Sequence, residues 1–255
     1  MLRISPTNGV FNDLYDIAEQ CLAPIVQDPT HRGRSWDRCY SFFQCYNGLN
    51  EKEQQAKREL ACLHLGFYLA SWGMFRGSGT LIQKDYTIYG RIVNLILQHE
   101  YETLWKPEFF RNLLTSDNRI QHDSQEISLI FKLEKQIRNY INSLTIIKNH
   151  LEDVENAHAT DTIISKILMG TIGCTPAYDT YFREGLSACE IYRCGSLTAT
   201  SFAKLLNICR EKEIWSKLQE QPVEYYDKYY GVVYPVMRMV DLYFWTKGFN
   251  AKPND

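Results

Sequence analysis

The residues best suited to chemistry lie in the stretch "MGTIGCTPAYDTYFREGL", from Met169 to Leu186. It contains a single Asp, Asp179, set between aromatic residues and close behind a Thr-Pro step. Gly170 and Gly173 are placed to end one helix. Thr175 and Pro176 read as the N-cap and first residue of the next, and Gly185 as its end. Asp179 would then lie in the first turns of a helix, where the macrodipole keeps a carboxylate ionised at a benefit of about 1 kcal/mol or less. Such a carboxylate can stabilise a developing cation or activate water. Read plainly, it is an ordinary acid at a helix start.

A second stretch, "ASWGMFRGSGTLIQKDY" (70–86), sets Gly73, Gly77 and Gly79 among Trp72, Phe75 and Arg76. Glycine lets a ligand approach the backbone, and an arginine between aromatics can hold a phosphate or stack on a base. Gln83, Lys84 and Asp85 add polar groups nearby. The plainer reading is a helix corner with Arg76 paired to an acid.

These residues must be positioned by helices. In "EISLIFKLEKQIRNYINSLTIIK", Ile127, Ile130, Phe131, Ile137, Ile141 and Leu144 form one apolar stripe, which predicts the longest helix, about 123–149. "LTATSFAKLLNICREKE" repeats apolar residues at helical spacing, with Ser196 or Thr198 as cap. "KEQQAKRELACLHLGFYLASWGMFRG" turns from polar to apolar, so its second half should be buried. "DTIISKILM" reads as a short helix, and "SGTLIQKDYTIYGRIVNLILQHE" as a helix in its later part. The one β-branched cluster is "YYGVVYPVM", where Pro235 should open a last helix running through Phe244. The expected fold is all-α: a single globular domain over 1–255, or two packed helical halves with a seam near 115–123 ("TSDNRIQHD").

The chain has 255 residues, 45% of them hydrophobic and 23% charged, enough for a real core. Its net charge of -2 argues against a strongly basic nucleic-acid binder but permits a local basic patch. Seventeen Tyr, twelve Phe and five Trp suit both packing and base stacking. No signal-peptide core and no run of about 20 apolar residues is present, so a cytoplasmic protein (nuclear in a eukaryote) without a membrane partner is expected. None of the eight cysteines forms a Cys-x-x-Cys pair. A zinc site from Cys189, Cys194 and Cys209 fits no common spacing, so buried free thiols, no metal and no cofactor are expected.

"TPAYDTYFREGL" resembles the segment of helix-hairpin-helix DNA glycosylases in which a short Pro-containing loop leads to an essential Asp at a helix start. The matching residues are Pro176, Asp179, Thr180, Tyr181, Phe182 and Arg183, preceded by a helix, "TDTIISKILMGTIG". The likeness covers about a dozen residues. It implies an all-α glycosylase-like fold and cleavage of the N-glycosidic bond of a damaged or modified base flipped out of DNA, in repair or in defence against modified phage DNA. It casts Asp179 as the group that stabilises the sugar cation or activates water. Tyr178, Tyr181, Trp72, Phe75, Arg76, Gln83, Lys84 and Asp85 would line or read the base pocket, one better suited to a bulky or modified base than to uracil. The chain departs from the family where "KNHLEDVENAHAT" lacks the hairpin glycines and where no iron–sulfur cysteine loop occurs. The family's nucleophilic lysine would fall near Thr160–Thr162, where Asp161 stands. Lys166 is close but displaced, so a monofunctional hydrolase is expected, with Lys166 standing beside Asp179 as a second catalytic candidate. Two other classes compete: a non-catalytic helical interaction module, and a helical nuclease, for which Arg119 and His122 are too closely spaced. His64 and His158 read as core or surface residues.

Overall fold

The computed structural model describes residues 9–75, 83–148, 153–226 and 231–251. Helices dominate: α1 (Leu14–Gln27), α2 (Arg34–Asn47), α3 (Glu51–Ser71), α4 (Tyr89–Ile96), α5 (Pro107–Thr115), α6 (Gln125–Asn142), α7 (Asp161–Thr171), α8 (Thr180–Ala188), α9 (Ala199–Glu211), α10 (Ile214–Glu220) and α11 (Val236–Asn250). Two antiparallel hairpins interrupt them, β1 (Thr145–Lys148) with β2 (Asp153–Asn156) and β3 (Glu224–Tyr226) with β4 (Gly231–Val233).

Local chemistry sets most boundaries. An Asn50–Glu53 capping box starts α3. Ser124, Thr160 and Thr198 cap α6, α7 and α9 through side-chain oxygens. The stripe on α6 is buried as its spacing requires, with Ile127, Ile130, Ile137 and Ile141 inside. The helix nevertheless stops at Asn142, and α3 is the longer of the two. The β-branched residues that follow pair as a strand instead, Ile146 opposite Glu155 and Ile147 opposite Val154. Gly231–Val233 is likewise a strand, and Pro235 precedes α11 rather than occupying its first turn.

Buried side chains form one core cluster. Its centre is α7, in which every residue from Ile163 to Thr171 is buried, and α11, buried from Val236 to Phe244. A helix apolar on all sides belongs inside. α2, α3 and α6 pack on α7, while α1 and α8 pack on α11. The second half of α3 is only partly covered: Leu65, Tyr68 and Leu69 are buried, but Leu60, Leu63 and Phe67 are exposed. The connection at 116–124, the expected seam, is tied to α9. Asn207 exchanges hydrogen bonds with the backbone of Ile120 (3.0 and 2.8 Å), and Arg210 donates to the Asn118 carbonyl.

Candidate active site

The segment between α7 and α8 differs from its sequence reading in a way that matters. α7 ends at Thr171 and Gly173 takes φ +76°, the left-handed turn expected of a glycine there. Gly170 lies inside the helix, where it leaves room for the Tyr68 ring. Thr175 and Pro176 do not start a helix: Asp179 N turns back to the Ala177 carbonyl (2.9 Å), and side chains of α11 and α7 hold the two amides before it. Ala177 N donates to Asp241 Oδ1 (2.9 Å) and Tyr178 N to Ser165 Oγ (2.9 Å). α8 begins only at Thr180, with Asp179 itself as the N-cap, its Oδ1 accepting from Phe182 N at 3.1 Å. Gly185 does not end α8. It lies within the helix, at the crossing with α11.

This pinned loop forms one wall of a cavity of about 330 Å³. α1, the His31–Gly33 turn, the end of α3, α7 and α11 supply the rest. Its apolar lining includes Trp72, Met169, Leu242, Trp245 and Phe249. Trp245 stacks on Phe249 (5.2 Å, 8°) and meets Trp72 edge-on (6.5 Å, 88°).

The polar wall is a set of four charges. Lys166 Nζ stands 3.4 Å from Asp179 Oδ2, the two side chains 5% and 15% exposed. The same ammonium donates to the Trp72 carbonyl (3.3 Å) and lies 5.5 Å from the centre of the Trp72 ring. Burial lowers the Lys166 pKa, and Asp179 opposes that shift. Behind this pair, Arg238 Nη1 donates to Asp241 Oδ2 at 2.9 Å, both residues almost fully buried. Burial pushes the Asp241 carboxyl up to about 6 despite Arg238 beside it. Arg238 also lies over the Trp36 ring at 4.6 Å. At the mouth, exposed Arg32 covers the Trp72 ring at 5.1 Å.

Three of the expected residues, Asp179, Lys166 and Trp72, therefore meet in one cavity. The other described ones do not line it. Tyr181 backs the wall from outside, edge-on to Trp245 at 5.1 Å. Tyr178 is buried against Phe182, and its carbonyl accepts from Thr162 Oγ1. Phe75 packs on the core. Asp85 caps the 3₁₀ turn Tyr86–Ile88 and is exposed, as is Gln83, while Lys84 is half-buried. These residues lead into α4. Arg76 lies outside the described residues. Asp161, at the position expected for a lysine, is a structural anchor: it binds Arg138 Nη2 (2.9 Å) and Leu197 N (3.1 Å).

Sequence reasoning missed Tyr68, Arg32, Arg238, Asp241 and Trp245. A signal for two of them exists in "VMRMVDLYFW", where Arg238 and Asp241 stand one helical turn apart in an otherwise apolar run. Opposite charges so placed are buried only as a pair. Arg119 and His122 are exposed on the α5–α6 connection. His64 stacks on Phe42 (4.2 Å), burial lowering its pKa, and His158 is exposed.

A second cavity, of about 460 Å³, lies between α2, α10 and β4. Lys106 is the single charged residue of its described lining, so it offers no carboxylate for acid–base work. The eight cysteines are free thiols, five of them buried, and burial pushes the Cys194 thiol up to about 11. Among the described residues no group of three His, Cys, Asp or Glu side chains is arranged to hold a metal ion, and no helix is long and apolar enough to cross a membrane. Family models, curated proteins and solved structures offer no match to this chain.

Proposed function

We propose that the protein is an N-glycosylase that releases a damaged or modified base after the base leaves the DNA stack and enters the Trp72–Trp245 cavity. The observation that carries this reading is the contact between a buried amine and a carboxylate, Lys166 Nζ and Asp179 Oδ2, at the wall of an aromatic-lined cavity. Breaking an N-glycosidic bond builds positive charge on the sugar. A carboxylate held in advance stabilises that charge without reorganising. Asp179 is so held, because one oxygen caps α8 and leaves the other facing Lys166.

The lysine alters the expected mechanism. A monofunctional enzyme followed from the lack of a lysine near Asp161, yet the fold brings Lys166 to the site from further along α7. Its pKa is lowered by burial, which favours the neutral amine. In this reading Lys166 reacts as its neutral amine, and Asp179 stays ionised beside the developing sugar cation. The Nζ lone pair bonds to the sugar C1′ while the C1′–N bond breaks and its electron pair leaves with the base, which takes the proton that Nζ sheds; the second Nζ proton then goes to the ring oxygen as the C1′–O bond opens, leaving the imine that borohydride reduces. No metal or organic cofactor takes part.

The test is base release from duplex oligonucleotides carrying damaged or modified bases, with and without borohydride. Borohydride should trap a protein–DNA adduct that Lys166→Gln abolishes. Asp179→Asn should retain its cap and its DNA affinity at fixed salt but lose about 10²–10³ in rate. Full activity in the Asn variant would remove Asp179 from the mechanism, and the glycosylase reading with it. Normal base release by Lys166→Gln, with no trapped adduct in the parent protein, would return the enzyme to the monofunctional class.

A further inference from the structure

α3 carries apolar residues on both of its sides. The inner side packs on α2, α4 and α7, with Ala61, Cys62, Leu65, Tyr68 and Leu69 buried. The outer side of such a helix is ordinarily polar, and at its start it is: Lys52, Glu53, Lys57 and Glu59 are exposed. From Leu60 onward it is not. Leu60, Leu63 and Phe67 are 45%, 43% and 67% exposed, and Ala70 is exposed beside them. No Lys, Arg, Asp or Glu occurs from Leu60 to Ser71. Ala56, also exposed, extends the row one turn back. Scattered apolar residues on a surface need no explanation, but a continuous row does.

Ala56, Leu60, Leu63, Phe67 and Ala70 are spaced 4, 3, 4 and 3 residues apart. That is the seam of a two-helix coiled coil, with Leu60 and Phe67 at a positions and Ala56, Leu63 and Ala70 at d. The row complements itself in one orientation. If two copies of α3 ran parallel, Phe67 would meet Phe67, Glu53 at the preceding a position would meet Glu53, and Lys52 at g would meet Lys57 at e. Both charge contacts repel. If they run antiparallel about a two-fold axis, a packs on d. Leu60 then meets Leu63 of the second copy, Phe67 meets Ala56, and Glu53 meets Ala70, so the largest side chain lies on a small one and the acids stay apart. Lys57 comes beside His64, which burial and Arg38 hold toward its neutral form. A two-fold contact of this kind closes on itself at a dimer.

We propose that the outer face of α3 is a homodimer interface, through which two copies of this chain pair antiparallel along Ala56, Leu60, Leu63, Phe67 and Ala70. The row is about 21 Å long at about 1.5 Å per residue. So short a seam falls at the low end of interface sizes, and the dimer is a weak one, of micromolar or lower affinity. The pairing does not rest on the glycosylase reading, and base release with or without dimer formation leaves it untouched.

Sedimentation velocity on the full chain, from about 1 μM to about 1 mM, should show monomer passing to dimer. Phe67→Glu and Leu63→Arg, both at exposed positions and checked for folding by circular dichroism, should each raise the midpoint concentration about tenfold or more. Combining Ala56→Lys with Phe67→Glu sets the introduced lysine against the introduced glutamate across an antiparallel pair, so the dimer should return and now weaken with salt. Mixing the two single variants creates the same contact at one end of the seam and needs no doubly substituted chain. In a parallel pair neither combination restores anything. A parent protein that sediments as monomer throughout overturns the proposal. A dimer left intact by both disrupting variants places the interface elsewhere and overturns it too. Loss in the single variants with no return in either combination overturns the antiparallel pairing.

Discussion

At the scale of single residues, the site turns on a lysine and an aspartate that hold each other in opposite senses. Burial favours the neutral amine of Lys166, while Asp179 favours its charged form. Burial is the larger of the two, so the amine loses its proton below the 10.5 of a free lysine. Attack requires the neutral amine. The yield of borohydride-trapped adduct should therefore rise with pH and level off before 10.5. A yield still climbing beyond that point would show an ordinary solvated lysine. Asp179 was legible in the chain because a lone aspartate between aromatics, in a Gly- and Pro-punctuated stretch, stands out. Lys166 was the weaker candidate in the chain, because it stands displaced from the position the family pattern gives its lysine. The cavity is assembled in space, and a lysine further along α7 reaches the same wall. Among the described residues of the 70–86 stretch, Trp72 alone lines the cavity, since composition does not reveal which side chain at the end of α3 meets α7 and α11.

At the scale of elements, the site depends on how α8 crosses α11. A Cβ on Gly185 would lie 1.7 Å from the Phe244 carbonyl oxygen, and one on Gly248 would lie 1.9 Å from that of Tyr181. The obstacles are backbone, so neither helix can yield by turning a side chain. Gly185→Ala should destabilise the protein by about 3 kcal/mol or more, at or beyond the upper end of ordinary overpacking. Gly195→Ala is the control, because its nearest neighbour is Arg183 Cγ at an ordinary 3.5 Å, and it should stay within about 0.5 kcal/mol. Urea denaturation of the two variants measures both, and similar midpoints would contradict the close crossing. Helix identity was readable from period and caps, as in α6, α7 and α9. The role of Gly185 was not, because a glycine that ends a helix and one that admits a neighbour look alike until the partner is known. The two hairpins escaped for a related reason: "TIIK" continues an apolar stripe and declares itself a strand only by pairing with "DVEN".

At the scale of the whole molecule, α1 and α11 close the structure on itself. Asp13, just before α1, accepts from the Tyr243 hydroxyl (3.0 Å) and from Lys247 near the end of α11. Tyr15 donates to the Lys217 carbonyl in α10, and Cys21 meets the Thr246 hydroxyl at 2.7 Å. Burial tends to raise the Asp13 pKa, but the Lys247 and Tyr243 hydrogen bonds hold it below 3.8. A carboxylate depressed in the folded state contributes stability above its unfolded pKa and loses it as pH falls through the folded value. Asp13→Asn should therefore melt below the parent protein at neutral pH, modestly for so exposed a pair. The gap should close in acid below 3.8. A gap that persists there would mean the contact acts through packing.

Much of the cavity lining comes from opposite ends of the described chain, residues 20–33 and 238–250. A base seated there touches both at once. It binds the closed form and not one in which either end has peeled away, so its presence shifts that opening by mass action. Occupancy of the cavity should consequently show itself far from the chemistry, as slower proteolytic clipping at both ends of the chain together.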